Sequence, residues 1–169
     1  MLFNAELERR VNCWALLEGR DDITPQELND MGVYGGGRGI WRDKANTSGL
    51  TSDGDGAVVS VLHLGQRYAN DLYNDGIIYH FPNNQTVSYD RADIQSIKNS
   101  FDLKLPIFVI SHGKTKKLRK VNFGKIVDFG KSECLIIFGD KHSSRMELPD
   151  PSTFKLNASK REKTKPVEQ

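Results

Sequence analysis

The chain has 169 residues, 37% apolar and 27% charged, with a formal net charge of +2. That suffices for one ordinary domain with a buried core, no apolar run approaches bilayer-spanning length, and so small a charge argues for nucleic acid only if its distribution does. Cys13 and Cys134 stand far apart without CxxC spacing, which argues against a zinc site or a disulfide framework and leaves two buried thiols.

Residues 1–33 read as a helical segment of two helices. Leu7, Val11 and Ala15 recur at helical spacing, and Gly19 suits the position just past a helix end. Glu6, Glu8, Arg9 and Arg10 interrupt any apolar stretch of a signal peptide, so the expected location is the cytoplasm, with the nucleoid. The second helix opens at Thr24-Pro25-Gln26-Glu27, where Thr24 caps, Pro25 fits the first helical position and Glu27 completes a capping box. Trp14 and the apolar stripe read as core.

Between Tyr34 and Lys44 four glycines fall within five positions, yet neither GK[ST] nor a helix-opening GxGxxG follows, so a nucleotide-binding P-loop is rejected. Arg38, Arg42 and Lys44 fit phosphate contacts and solvated charges equally well. Residues 45–56 are small, polar and turn-rich, which predicts a loop; Asp53 and Asp55 lack the closing Glu of an EF-hand. Ala57 to Leu64 is a β-rich, near-continuously apolar run, the pattern of a strand covered on both faces. Asn74-Asp75-Gly76 signals a turn and Ile77 to Phe81 returns as a strand. Tyr68 and Tyr79 then lie at the two ends of one concavity with Asp71 between them. Two aromatic faces and a carboxylate suit a planar base taken out of its stack. On spacing alone, ordinary strand tyrosines and a turn aspartate are the better reading.

Further on, Asp90 to Phe101 predicts a helix with Ile94 and Ile97 inward, and Leu105 to Ile110 a strand. Lys114, Lys116, Lys117, Arg119 and Lys120 put five basic residues into seven positions, a density that suits a hairpin following a phosphate backbone and nearly as well a solvated turn. Val121 to Phe129 and Cys134 to Phe138 read as a final strand pair. The residues beyond Pro149 are polar and basic, a tail or linker at 151–169. His63, His80, His112 and His142 are scattered without HExxH, and there is no GxSxG. No catalytic residue, cofactor or metal is expected, and a binding module is.

Gly39-Ile-Trp-Arg, the polar loop, Asp55-Gly-Ala-Val-Val-Ser-Val-Leu, Tyr68-x-x-Asp71 and Tyr79 together resemble the SRA (SET and RING associated, or YDG) domain. The likeness runs from about Tyr34 to Phe138. It implies an α+β fold of PUA-like type, a curved sheet closing toward a barrel with N-terminal helices packed outside, over residues 34–150. It implies a reader that flips 5-methylcytosine or 5-hydroxymethylcytosine out of duplex DNA. Tyr68 and Tyr79 match the stacking pair, Asp71 the acid that reads cytosine, and His80 a position beside the pocket. Ala45, Asn46, Thr47, Ser48, Gly49 and Leu50 match the loop that fills the vacated space, with Leu50 its large apolar member. Such readers precede HNH-type nucleases in modification-dependent restriction enzymes, so a C-terminal nuclease domain outside this chain is the expected partner. Residues 82–90 are shorter than the loop with which eukaryotic members inspect the opposite strand. A PUA-like reader of RNA, a phosphorothioate reader and a nucleobase-acting enzyme are the rival classes.

Overall fold

A computed structural model describes residues 2–35, 39–64, 72–73, 75–81 and 87–139, with the backbone alone for Leu2 and residues 87–90. Arg38, Tyr68, Asp71, His142 and the tail at 151–169 lie outside the described residues.

Among the described residues seven strands form one mixed sheet in the order β1-β2-β5-β6-β7-β4-β3. They are β1 (Ile40–Trp41), β2 (Ser60–His63), β3 (Leu72–Tyr73), β4 (Gly76–His80), β5 (Ile107–His112), β6 (Arg119–Phe129) and β7 (Glu133–Phe138). β2 and β5 run parallel and every other pair antiparallel. Among the described residues the α-helices that accompany them are α1 (Leu2–Leu17), α2 (Pro25–Asp30), α3 (Lys44–Thr47) and α4 (Val87–Leu103).

The run read as a doubly covered strand is buried continuously from Ala57 to Val61, and β5 is buried on both faces through Ser111. Alternation along the strands sends their side chains into two layers of core. Leu17 of α1 and Leu28 of α2 pack with Val59, Phe108, Ile110, Val121 and Phe123 on one face. Trp14, half-buried, stacks on Phe123 with ring centroids 5.4 Å apart and so packs against this core, whereas Ala15 of the predicted stripe is exposed. On the other face Ile97 of α4 packs with Val61, Ile77, Tyr79, Ile107, Val109 and Ile136, flanked by Ile94 and Phe101.

The expectation of a sheet closing toward a barrel needs correction. Among the described residues the sheet is open, with β1 and β3 as its ends. It is nonetheless strongly curved. Four strands separate β1 from β4, yet a methyl group on Gly39 would stand 3.8 Å from the Tyr79 hydroxyl oxygen. The curl is toward α4, which leaves α1 and α2 on the outside.

The start of α2 follows its sequence signature. Thr24 Oγ1 accepts from the Glu27 amide at 3.1 Å, and Glu27 Oε1 accepts from the Thr24 amide at 3.1 Å. Arg20 holds the Glu27 carboxylate through two bonds of 3.1 Å, and that contact keeps its pKa below the ordinary value. Thr24→Ala is expected to cost about 1 kcal/mol, which a thermal melt reads as a drop of about 2–4 °C.

Residues 45–56, expected as a loop, begin differently. Lys44–Thr47 is an α-turn and Ser48–Leu50 a 3₁₀ turn. The buried Thr47 hydroxyl holds them, donating to the Arg42 carbonyl at 2.7 Å and accepting from the Ala57 amide at 3.0 Å. Asp53 spends its carboxylate on the Asp55 amide at 2.9 Å and on Asn99 of α4.

Candidate nucleic-acid interface

Strand direction decides which segments meet. β2 and β5 are parallel, so Leu64 at the exit of β2 lies beside His112 at the end of β5; His112 Nε2 donates to the Leu64 carbonyl at 2.9 Å. β1 is antiparallel to β2, which brings its beginning to the same end, with the Leu62 amide bonding the Gly39 carbonyl at 2.8 Å. One end of the sheet therefore gathers the end of the glycine run, the chain about to enter residues 65–71, and the basic turn between β5 and β6.

That turn is fixed to the rest of the protein. The Gly113 amide bonds the Leu118 carbonyl at 2.8 Å, closing it. The Lys114 amide bonds the Asp21 carbonyl at 2.8 Å, and Ile23 and Arg119 exchange both backbone bonds. Glycine is required at 113 because a side chain there would collide with the Asp21 and Arg119 carbonyls. Lys114, Lys116, Lys117 and Lys120 are exposed, and among the described residues none has a carboxylate within ion-pair distance. Arg119 is different. Its guanidinium closes its own turn, donating to the Lys116 carbonyl at 2.9 Å and the Leu118 carbonyl at 3.1 Å.

The remaining residues named from sequence are dispersed. Arg42 sits at the far end of β1, its side chain 16% exposed, with Asp93 of α4 at 3.3 Å and Asp55 at 3.8 Å. Its charge is committed to these carboxylates, whereas Lys44 is exposed. His80 stands 3.6 Å from Glu133 across the β4–β7 pair. Ala45, Asn46 and Gly49 are exposed, Ser48 and Leu50 half-buried, and Thr47 fully buried. Tyr79 is 9% exposed and belongs to the core layer under α4. Burial, followed by the neighbouring Cys134 and Asp93, pushes its hydroxyl above the ordinary phenol range, so it is a neutral donor at any physiological pH.

The sequence reading missed a buried ionic network that holds this region. Glu6, 4% exposed, accepts from Arg9 at 2.9 and 2.8 Å and from Arg10 at 2.6 Å. Arg9 also reaches Asp43 at 3.0 Å, and Asn46 donates to the same carboxylate oxygen at 2.8 Å. Asp43 takes a left-handed conformation, φ 47°, where the chain turns from β1 into α3. The pairing crosses 34 residues of sequence, so no local pattern announces it.

No family model matches the chain, and no curated protein matches it. Among solved structures, one described as a modification-dependent TagI restriction endonuclease is similar at 15% sequence identity and a TM-score of 0.49. The alignment covers 80% of this chain and 55% of that one, so the chain corresponds to about half the length of the structure it matches.

Proposed function

We propose that this chain reads modified cytosine, 5-methylcytosine or 5-hydroxymethylcytosine, in duplex DNA, as the recognition part of a modification-dependent restriction endonuclease whose nuclease domain lies outside these residues. The observation that carries the reading is the shared end of the sheet. An anchored turn bearing exposed lysines stands next to the strand that leads into Tyr68 and Asp71, with the end of the glycine run beside it. Lysines at that end supply the charge that holds a phosphate backbone, and residues 65–71 supply the groups that read a base.

In this reading Lys114, Lys116, Lys117 and Lys120 engage the duplex first. Residues 45–50, a short turn held by Thr47, then occupy the space that the extruded cytosine leaves. The base rotates toward Tyr68, Asp71 and Tyr79. Asp71 accepts from the exocyclic amine while the Tyr68 ring replaces part of the lost stacking, an exchange that offsets an unstacking cost of a few kcal/mol. Tyr79 takes part from inside the core, presenting its neutral hydroxyl end near Gly39.

Asp71→Ala and Tyr68→Ala are each expected to abolish the preference for modified over plain duplex while leaving salt-dependent nonspecific binding intact. A gel-shift series with matched duplexes measures both. Full discrimination retained by both variants would show that the base is read elsewhere.

A further inference from the structure

The ladder between β2 and β5 ends at the His63–Ser111 pair. One residue further, the Leu64 carbonyl is met by a side chain, the His112 ring, whose Nε2 donates to it at 2.9 Å. Leu64 is the last described residue before residues 65–71. The ring stands on a fixed mount. β5 is buried from Ile107 to Ser111, and past His112 the Gly113 and Lys114 amides bond the Leu118 and Asp21 carbonyls at 2.8 Å each. The second ring nitrogen is in a different position: His112 Nδ1 is buried and has no hydrogen-bond partner among the described residues. A neutral imidazole carries one N–H. With Nε2 donating, Nδ1 holds the lone pair. The opposite tautomer would bury an N–H without an acceptor and set a lone pair against the Leu64 carbonyl.

We infer that His112 is a positioning residue for base recognition: by holding the Leu64 carbonyl it sets the direction in which the chain leaves the sheet toward Tyr68 and Asp71, and with it the preference for modified cytosine. The inference rests on the modified-cytosine reading and deepens it. Tyr68 comes four residues after Leu64, at most about 14 Å along an extended chain, so freedom at that carbonyl is freedom at the reading groups. Ordering them is then drawn from the binding energy, and the loss falls on modified duplex, where those groups are used. Stability alone does not account for the ring. A buried nitrogen without a partner opposes folding, and a phenyl ring in its place lacks that penalty. The lysines of the turn are anchored by backbone bonds that do not involve the imidazole, so binding to plain duplex is independent of it.

The test compares His112→Phe, which keeps a ring and removes both nitrogens, with His112→Gln, whose amide nitrogen reaches about as far as Nε2. His112→Phe is expected to weaken binding of a duplex carrying 5-methylcytosine about fivefold, the worth of one ordinary hydrogen bond, and to leave plain-duplex binding, its salt slope and the melting temperature unchanged. His112→Gln is expected to recover most of the preference. An unchanged preference in His112→Phe, or equal weakening on both duplexes, overturns the inference and leaves the reading standing. A wild-type protein without any preference overturns the reading. In that case hydrogen exchange over residues 65–71 of the free protein decides the hold at Leu64: exchange about fivefold faster in His112→Phe and restored in His112→Gln supports it, and equal exchange overturns it. One measurement needs no variant. A proton–nitrogen correlation spectrum of the wild-type protein at mildly alkaline pH is expected to show the His112 proton on Nε2, and a proton on Nδ1 overturns the inference.

Discussion

Arg10→Met is expected to destabilise the protein by about 3–5 kcal/mol, the range for removing one partner of a buried ion pair. The side chain is 0% exposed and makes four hydrogen bonds, to Glu6 at 2.6 Å and to the carbonyls of Val58, Pro106 and Ala57 at 2.9, 2.8 and 3.2 Å. Burial lowers the pKa of Arg10 from the ordinary guanidinium value, so the charge is kept because these acceptors surround it. Methionine fills much of the volume but leaves three buried carbonyls without this donor and one partner fewer for Glu6. Removing Glu6 together with Arg10 removes the unpaired charge but recovers only part of the loss, since the buried carbonyls still lack this donor. Arg10→Lys keeps the charge without the planar fork and is expected to recover only part of the loss. The consequence reaches function, because the same guanidinium joins the approach to β2 with the approach to β5, the two strands whose ends form the proposed interface. Urea denaturation of the three variants measures the effect. A loss below about 1 kcal/mol for Arg10→Met would contradict the described burial.

Replacing Lys114, Lys116 and Lys117 together by glutamine is expected to reduce the slope of log affinity against log salt by about 2.7, at about 0.9 for each phosphate no longer neutralised. Between 50 and 200 mM salt that difference amounts to about a 40-fold change in relative affinity. The substitutions fall on exposed side chains, and the backbone bonds that close and anchor the turn do not depend on them. The melting temperature should therefore hold while the slope falls. Arg119 is left in place because it ties the turn together. An unchanged slope would mean that the turn is solvated and faces away from the phosphates.

Local chemistry made part of this structure legible in the sequence. The capping box at Thr24 and Glu27 is complete within four residues, and the apolar run from Ala57 to Val61 carries the signature of double coverage in its own composition. What could not be read depends on distant partners. Arg10 looks like a charge that interrupts an apolar stretch, and only the carbonyls near residues 57 and 106 reveal why it is buried. Arg42 looks like a phosphate contact until Asp93, 51 residues later, takes it up. Residues 45–50 look like a loop because they are small and polar; a hydroxyl reaching Ala57 makes them a fixed turn. The expectation of a sheet closing toward a barrel came from family resemblance, whereas the open edge at β1 belongs to this chain's own pairing. Of the proposed pocket, Tyr79 is seen from its core side, and its depth there was not evident from a position on a strand.

The central claim, that a modified cytosine leaves the helix on binding, is tested most directly by 2-aminopurine placed next to 5-methylcytosine in a duplex. Saturating protein is expected to raise its emission several-fold, as loss of a stacked neighbour does, with no such rise for Asp71→Ala bound to the same duplex. Full binding with emission that stays at the level of free duplex would contradict base extrusion.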